Sequence, residues 1–272
     1  MSPMGRSLTT MRIGSHVDAE DPIVGAKARG ADVAQIFLGA PQAWKDPEVL
    51  YPGGAQALRD AAAAADLPLV VHAPYRINVA TTNNRIRIPS RTLLQKQVNA
   101  AAEIGAIGIV VHGGHVGADD DLEVGFDNWR KCLEKLERPT TVLIENTAGG
   151  DGAMARGVDR IAALWEAVRA AGAEDVGFCL DTCHAWASGE PLAGLVGRII
   201  AATGRVDLVH VNDSRDEFGS SADRHANLGQ GHIPEEDLLA VLRDADVPAV
   251  VETPGAETEQ GIDIAWLHER LG

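Results

Sequence analysis

Residues 141–184 read TVLIENTAGGDGAMARGVDRIAALWEAVRAAGAEDVGFCLDTCH and contain one complete repeat of a pattern that recurs along the chain. Two short apolar runs, TVLIE and GFCLD, flank VDRIAALWEAVRAAG, in which apolar residues recur at helical spacing. Nearly continuous apolar strands separated by an amphipathic helix are typical of a parallel sheet covered by helices. The stretch therefore predicts a β-α-β unit of an α/β fold.

The same alternation of apolar runs and helical patterns fills the rest of the chain. The apolar runs are Arg12–Val17, Val33–Leu38, Pro68–His72, Gly108–His112, Thr141–Glu145, Gly177–Asp181, Asp207–Val211 and Pro248–Glu252. Eight such repeats predict a closed (β/α)8 TIM barrel, a fold that reaches about 250 residues as a single domain. No linker or low-complexity segment interrupts the pattern, so residues 11–272 are predicted to form one domain.

Several local signals refine this prediction. The first ten residues, MSPMGRSLTT, lack the apolar core of a signal peptide and are expected to form a flexible extension. Ser90, which follows Pro89, is predicted to cap a helix, and Pro234 is predicted to precede the acidic first turn of another. No apolar stretch approaches the roughly 20 residues that span a bilayer. Three cysteines without disulfide or zinc-knot spacing favour a reducing, cytoplasmic location.

The charge of the chain limits its possible partners. A formal net charge of −15 argues against non-specific binding of nucleic acid through bulk electrostatics. A local site remains compatible with this charge, because divalent ions would neutralise their own carboxylate ligands. One segment is basic and is interpreted either as a solvated face or as a contact surface; its cations are Arg76, Arg85, Arg87, Arg91 and Lys96.

Potential metal ligands recur at the ends of the predicted strands or in the adjoining loops. The nine residues are His72, His112, Glu145, Asp181, His184, His210, Asp223, His225 and Glu252. The carboxyl ends of barrel strands form the mouth where TIM-barrel active sites lie. Burying so many ionisable groups without metal ions would be prohibitive, and the set is too large for one ion. Its nitrogen and oxygen donors suit zinc or manganese, so the pattern predicts a multinuclear metal site for hydrolytic chemistry.

Eight segments around the predicted strand ends form an ordered set of motifs: GSHV at 14–17, QIFLGAPQAW at 35–44, HAPYRIN at 72–78, VVHGGH at 110–115, IENTAG at 144–149, LDTCHAWASG at 180–189, HVNDSRDEFGSSADRHANLGQGHI at 210–233 and VVETP at 250–254. In motif and in order they resemble the endonuclease IV family of apurinic/apyrimidinic DNA endonucleases. The resemblance extends from about Met11 to Leu271. It implies DNA repair by metal-dependent cleavage of the phosphodiester 5′ to an abasic site in duplex DNA, giving a 3′-hydroxyl and a 5′-deoxyribose phosphate. Trimming of blocked 3′ ends is also expected.

The resemblance further implies up to three zinc ions, with manganese an alternative in one or more sites. The implied ligand sets are His72, His112 and Glu145; Glu145, Asp181, His210 and Glu252; and His184, Asp223 and His225. Glu145 would bridge the first two ions and, together with the ions, position the attacking hydroxide. It is therefore the residue expected to act in catalysis.

Recognition of the lesion is expected to involve the loops after the second and third strands. Tyr75 matches a position that the family inserts into the bent duplex, and Gln42 and Trp44 lie in the preceding loop. Arg76 replaces a commonly apolar residue of the wedge, and Gln42 stands where an arginine occurs in the family. The expected partner is abasic double-stranded DNA, bound by a monomer.

Two other classes of function are compatible with this type of barrel. A sugar isomerase or epimerase would bind a single ion through Glu145, Asp181, His210 and Glu252, but it would leave the other five ligands without a task. A damage-binding module without catalysis is disfavoured because no predicted ligand is missing. Of the remaining candidates, His16 is interpreted as either an outer residue of the metal site or an ordinary residue of the mouth. Solvated surface positions are expected for His115, His232 and His268, and strand alternation is expected to turn Cys183 towards packing.

Overall fold

The computed structural model describes residues 11–272 and contains the predicted closed barrel of eight parallel strands. The strands in chain order are β1 (Ile13–His16), β2 (Ala34–Phe37), β3 (Leu69–His72), β4 (Gly108–His112), β5 (Thr141–Glu145), β6 (Gly177–Asp181), β7 (Leu208–His210), β8 (Asp213–Ser214), β9 (His225–Ala226) and β10 (Ala249–Val251). Strands β1 to β7 pair in sequence, and β10 pairs with β7 and β1, which closes the ring. The unpredicted strands β8 and β9 form a separate antiparallel ribbon.

Helices occupy the connections between the barrel strands. They are α1 (Pro22–Arg29), α2 (Gly54–Ala64), α3 (Asn84–Glu103), α4 (Leu122–Leu133), α5 (Gly157–Ala170), α6 (Thr182–Ser188), α7 (Leu195–Thr203), α8 (Glu235–Ala245) and α9 (Glu257–Leu271). Their apolar faces pack on the outside of the barrel and bury large side chains such as Trp129 and Trp165. Each large apolar side chain buried in this way contributes about 1.5–3 kcal/mol. The indole Nε1 of Trp129 also donates to the carbonyl oxygen of Gly113 at 2.7 Å, which joins α4 to the loop after β4.

A second, smaller apolar cluster fills the inside of the barrel. Six members lie in six different barrel strands, and the seventh directly precedes β2. The members are Val33, Val70, Val110, Leu143, Cys179, Leu208 and Val250. Because side chains in a strand alternate between the two faces, the residue two positions further on points into the same interior, nearer the mouth. The residues at those positions are Gln35, His72, His112, Glu145, Asp181, His210 and Glu252. The register of the strands therefore brings six predicted ligands together above an apolar layer.

The long loop after β7 carries two more predicted ligands and is held by a buried carboxylate. Asp213 is fully buried, and its side chain accepts hydrogen bonds from the backbone N–H groups of Gly231 (2.9 Å) and Ile233 (3.0 Å). The pairing of Ser214 with His225 in the β8–β9 ribbon fixes the returning part of the loop. These contacts hold His225 at the barrel mouth.

One of the two predicted helix starts is wrong. Helix α3 begins six residues before Ser90, and Asn83 caps it by accepting a backbone N–H of the first turn. Pro89 lies inside the helix, where it removes only one hydrogen bond near the start. Ser90 is fully buried, and its Oγ accepts from the backbone N–H of Asn78 at 2.9 Å. The other prediction is confirmed, because α8 begins directly after Pro234.

The remaining expectations about the chain concern its ends, its cysteines and membranes. The predicted flexible extension of residues 1–10 lies outside the described residues. Cys132, Cys179 and Cys183 are buried free thiols. Within residues 11–272, no helix has the length and apolar composition that crossing a bilayer requires.

Candidate metal centre

All nine predicted ligands meet at the carboxyl ends of the barrel strands. They form three groups in which the candidate ligand atoms lie within 4.8 Å of one another: His72, His112 and Glu145; Glu145, Asp181, His210 and Glu252; and His184, Asp223 and His225. These groups coincide with the three sets that the sequence resemblance implies. Each offers the nitrogen and oxygen donors that suit a divalent transition metal.

Glu145 lies at the centre of the cluster. It is fully buried, and its two oxygens face different partners. Oε2 lies 3.3 Å from Nε2 of His72 and 3.2 Å from Nε2 of His112. Oε1 lies 3.1 Å from Nδ1 of His210 and 3.3 Å from Nδ1 of His184. A carboxylate that divides its oxygens in this way is arranged to be shared between neighbouring metal sites.

Backbone carbonyl groups orient three of the imidazoles. Nδ1 of each ring hydrogen-bonds to a carbonyl oxygen: His72 to Ala73 (2.7 Å), His184 to Asn146 (2.9 Å) and His225 to Glu252 (3.2 Å). A carbonyl oxygen can only accept, so Nδ1 carries the hydrogen and the lone pair of the neutral ring is on Nε2. Such outer contacts set both the tautomer and the direction of a metal-binding histidine.

The electrostatics of the cluster favour charged side chains despite their burial. Burial raises the pKa of Glu145, but the adjacent imidazoles, that of His210 foremost, hold it well below its usual range. Burial also opposes the charge on Glu252, yet His210 and other imidazoles lower its pKa to about 2. Burial lowers the pKa of His225, but the carboxylate of Asp223, whose Oδ1 lies 3.3 Å from Nε2 of the ring, outweighs this effect and raises it to about 9. Protons and metal cations therefore compete for the same imidazole lone pairs.

Two atoms of the cluster show that its residues fit metal ions. Oε2 of Glu145 and Nε2 of His225 are buried and have no hydrogen-bond partner among the described residues. An unsatisfied buried polar atom costs about 1–3 kcal/mol. Both atoms belong to the candidate groups, and in the neutral ring of His225 the lone pair is on Nε2. A divalent cation bound in each group would satisfy both atoms.

The structure also shows the surroundings of the histidines and the cysteine that were not predicted to bind metal. The exposed histidines are, as predicted, His115, His232 and His268. Cys183 lies in α6 and not in a strand, so the reason predicted for its orientation is wrong. It offers a sulfur within 4.8 Å of ligand atoms of Asp181 and His225. Burial raises the pKa of this thiol to about 12, and the thiol form is a poor metal ligand.

Sequence reasoning missed one polar residue inside the barrel. Gln35 is fully buried on β2, and its amide lies within hydrogen-bond distance of His210, Glu252 and His16. Burial lowers the pKa of His16 to about 4, so this ring is neutral and belongs to the outer contacts of the cluster. The available signal was a single amide within the apolar run VAQIFL, two residues after Val33.

The loops after β2 and β3 carry the predicted DNA-contact residues and are joined to each other. Nε of Arg76 donates to the carbonyl oxygen of Gln42 at 2.6 Å, and the backbone N–H of Tyr75 donates to that of Pro41 at 3.0 Å. The ring of Tyr75 stacks on His112 with centroids 5.7 Å apart, yet 46% of the residue is exposed. Tyr75 therefore forms part of the rim directly beside the candidate ligands.

The predicted basic segment separates into residues with different surroundings. Arg85 and Lys96 line a cavity of about 470 Å³ together with the exposed Trp44. Arg91 and Lys96 line a neighbouring cavity of about 460 Å³. Arg87 instead donates to the backbone carbonyl groups before α3. On α3 the basic segment is therefore not a uniform solvated face, because Arg85, Arg91 and Lys96 line two cavities.

Comparison with known proteins agrees with this arrangement. Residues 24–270 match the family model described as xylose isomerase-like TIM barrel. The chain is 55% identical over 265 residues to a protein of Mycobacterium tuberculosis named probable endonuclease 4, covering 96% of this chain and 100% of the relative. The chain belongs to the endonuclease IV family.

Solved structures separate this family from others with the same fold. Endonuclease IV from Thermus thermophilus matches with a TM-score of 0.81 and 31% identity, over 96% of this chain and 98% of that one. A D-tagatose 3-epimerase-like protein matches with a TM-score of 0.77 but only 18% identity, over 96% and 97% of the two chains. The second match shows a shared fold alone, so the sugar isomerase alternative is supported only as a structural relationship.

The raised imidazole pKa values predict that metal binding releases protons. His225 has a pKa of about 9, so at pH 7 this ring is protonated before Zn²⁺ binds and must release a proton to bind it. Burial opposes the charge on His184 and His210, yet the pKa of each is raised well above its usual value, by Asp181 foremost at His184 and by Cys179, Glu252 and Glu145 at His210. These shifts act in the same direction. Calorimetric titration in buffers of different ionisation enthalpy should give heats that depend on the buffer. Heats at pH 7 that do not depend on the buffer would contradict the prediction.

Proposed function

We propose that this endonuclease IV family member cleaves the phosphodiester on the 5′ side of an abasic site in duplex DNA. The observation that carries the proposal is the set of three ligand groups, two of which share the buried carboxylate of Glu145. Hydrolysis forms a bond between a water oxygen and phosphorus and breaks the bond from phosphorus to the upstream 3′-oxygen, which takes up a proton. The products are a 3′-hydroxyl and a 5′-deoxyribose phosphate. The same chemistry would release blocking groups from 3′ ends.

The cluster would hold up to three zinc ions, with manganese an alternative in one or more groups. Bound divalent ions in such sites lower the pKa of water and neutralise charge on the phosphate oxygens. The chain's own contribution is to hold the ligands in fixed orientations before the substrate arrives. Glu145 supplies one oxygen to the group of His72 and His112 and the other to the group of His210. Its negative charge lowers the repulsion between two cations held close together.

The residues at the rim would recognise the lesion. Extruding a nucleotide from a duplex is least costly where the base is already missing. Tyr75 and Trp44 expose aromatic surface that can fill the gap or stack on an unpaired base. Burial raises the pKa of Tyr75 to about 12, so its hydroxyl keeps its proton and can donate to a phosphate or sugar oxygen. Arg76 and Gln42 lie beside it in the two joined loops.

A single-metal sugar isomerase would use only one of the three groups. The five surplus residues are His72, His112, His184, Asp223 and His225. His72 and His112 form one further group with Glu145, and the remaining three residues form the other. Outer hydrogen bonds fix the rings of His72, His184 and His225, which an isomerase would not need. A binding module without catalysis would not need the complete set either. A monomeric state and a cytoplasmic location complete the proposal.

Glu145→Gln tests the proposal most simply within the protein. The substitution keeps the size of the side chain but removes the charge that two cations would share. Incision of a duplex with one abasic site should fall by more than tenfold, which corresponds to about 1.4 kcal/mol in the activation free energy. Binding of the abasic duplex should be largely retained.

The exposed substitution Glu236→Gln provides the matched control, because this side chain lies on the surface of α8. It should leave incision unchanged. Removal of metal by a chelator should abolish incision by the parent protein, and addition of Zn²⁺ should restore it. Turnover of Glu145→Gln within tenfold of the parent, or full incision after verified metal removal, would contradict the proposal.

Arg76→Leu tests the contribution of the rim to DNA binding. Arg76 is exposed, and its Nε donates to the carbonyl oxygen of Gln42 and not to a carboxylate, so its charge is available to a phosphate. Each contacted phosphate adds about −0.9 to the slope of log affinity against log salt concentration. The substitution should weaken binding of abasic DNA, flatten this slope and leave the metal content unchanged. Arg243→Leu, in the last turn of α8, should change neither; equal affinity and slope for Arg76→Leu and the parent would assign Arg76 to the solvated surface.

A further inference from the structure

Gln35 connects three strands of the barrel through one side chain amide. Its Oε1 accepts from Nε2 of His210 at 2.8 Å, and its Nε2 donates to Oε1 of Glu252 at 2.6 Å. The second hydrogen of the amide points to Nδ1 of His16 at 3.1 Å. The side chain is fully buried, so these contacts replace all of its hydrogen bonds to water.

The surroundings permit only one orientation of this amide. If the amide were reversed, its oxygen would face the carboxylate of Glu252, and two acceptors would meet at hydrogen-bond distance. The observed orientation places the oxygen at His210 and the nitrogen at Glu252. A carboxylate at position 35 could accept a hydrogen bond from the histidine but would repel Glu252, and an apolar side chain could form a hydrogen bond with neither residue. A neutral amide is the side chain that satisfies both neighbours.

The contact with Oε1 decides which nitrogen of His210 faces the cluster. Because a carbonyl oxygen only accepts, Nε2 carries the hydrogen and the lone pair of the neutral ring is on Nδ1. That atom lies 3.1 Å from Oε1 of Glu145 and 3.3 Å from Oε2 of Glu252. His72, His184 and His225 have the opposite tautomer, set by backbone carbonyl groups. His210 therefore obtains its tautomer from a side chain on another strand.

Because Nε2 of Gln35 contacts Glu252, the two carboxylate oxygens of Glu252 have different partners. Oε1 is held by Gln35, whereas Oε2 is turned towards Nδ1 of His210. The second oxygen is thereby directed to the group of Glu145, Asp181, His210 and Glu252. A single amide thus fixes two of the four members of this group.

We propose that Gln35 is a positioning residue, which orients His210 and Glu252 for metal binding and does not itself touch the metal or the DNA. This inference rests on the proposed metal-dependent function. It predicts a selective effect on the group that contains His210. Loss of an outer contact of this kind typically lowers metal affinity or activity by about 10- to 100-fold.

The test compares Gln35→Met with Gln97→Met. Gln97 is an equally buried amide on α3, and its Nε2 donates to the carbonyl oxygen of Leu38 at 3.3 Å, away from the candidate ligands. Zn²⁺ affinity of the metal-free proteins is measured by competition with a chelator. Gln35→Met should bind at least one Zn²⁺ about 10- to 100-fold more weakly than the parent, and Gln97→Met should bind Zn²⁺ as the parent does. Gln35→Ala replaces Gln35→Met if the methionine variant does not fold.

A spectroscopic measurement on the zinc-loaded protein distinguishes positioning from a purely structural role. In the parent, nitrogen-15 NMR should place the ring hydrogen of His210 on Nε2 and show slow exchange with solvent. In either Gln35 variant this hydrogen should exchange faster. A parent with the hydrogen on Nδ1, or folded Gln35 variants with unchanged Zn²⁺ affinity, would overturn the inference. A parent that binds no metal and does not cleave abasic DNA would instead overturn the proposed function.

Discussion

The buried carboxylate of Glu145 is the interaction on which the site depends. A single ionised carboxylate removed from water is strongly unfavourable unless opposite charges and hydrogen bonds compensate it. Here four imidazoles surround it, two at each oxygen. The compensation that keeps Glu145 charged also sets the positions of the rings, so folding and site formation are coupled.

The barrel supplies this arrangement through the period of its strands. Positions two residues apart on a strand face the same side, so Leu143 packs in the interior while Glu145 faces the mouth. The same step on neighbouring strands relates Val110 to His112 and Leu208 to His210. An apolar layer therefore supports the charged one and keeps water from reaching it from below. Family differences on this fold arise from which side chains are added around the mouth, not from the barrel itself.

Residues outside the strands supply candidate ligands that a single-metal barrel enzyme would not need. Asp223 and His225 lie on a loop that Asp213 holds through hydrogen bonds to its backbone. His184 comes after β6 in the first turn of α6, where Asp181 caps its backbone N–H at 2.7 Å. These local structures bring a third group of candidate ligands to the mouth, beside the two groups that share Glu145.

Sequence periodicity predicted the eight strands and the positions of the nine candidate ligands, because both depend on local patterns of apolar residues and on the polar residues that follow them. It failed where a distant partner decides the outcome. The start of α3 was misplaced because Ser90 hydrogen-bonds to Asn78 and not to its own helix. Gln35 was overlooked because its partners, His210 and Glu252, are distant in sequence. The orientation of Cys183 was explained wrongly because strand alternation was applied beyond the end of β6 at Asp181, whereas Cys183 lies in α6.

Anomalous diffraction from crystals of the zinc-loaded protein, recorded at the zinc absorption edge, is the most direct test of a three-metal site built around Glu145. We expect one peak at each of the three ligand groups, with Glu145 between the two peaks whose groups share it. A single peak at the group of Glu145, Asp181, His210 and Glu252, with the other two groups empty at saturating zinc, would contradict this arrangement and favour a single-metal enzyme.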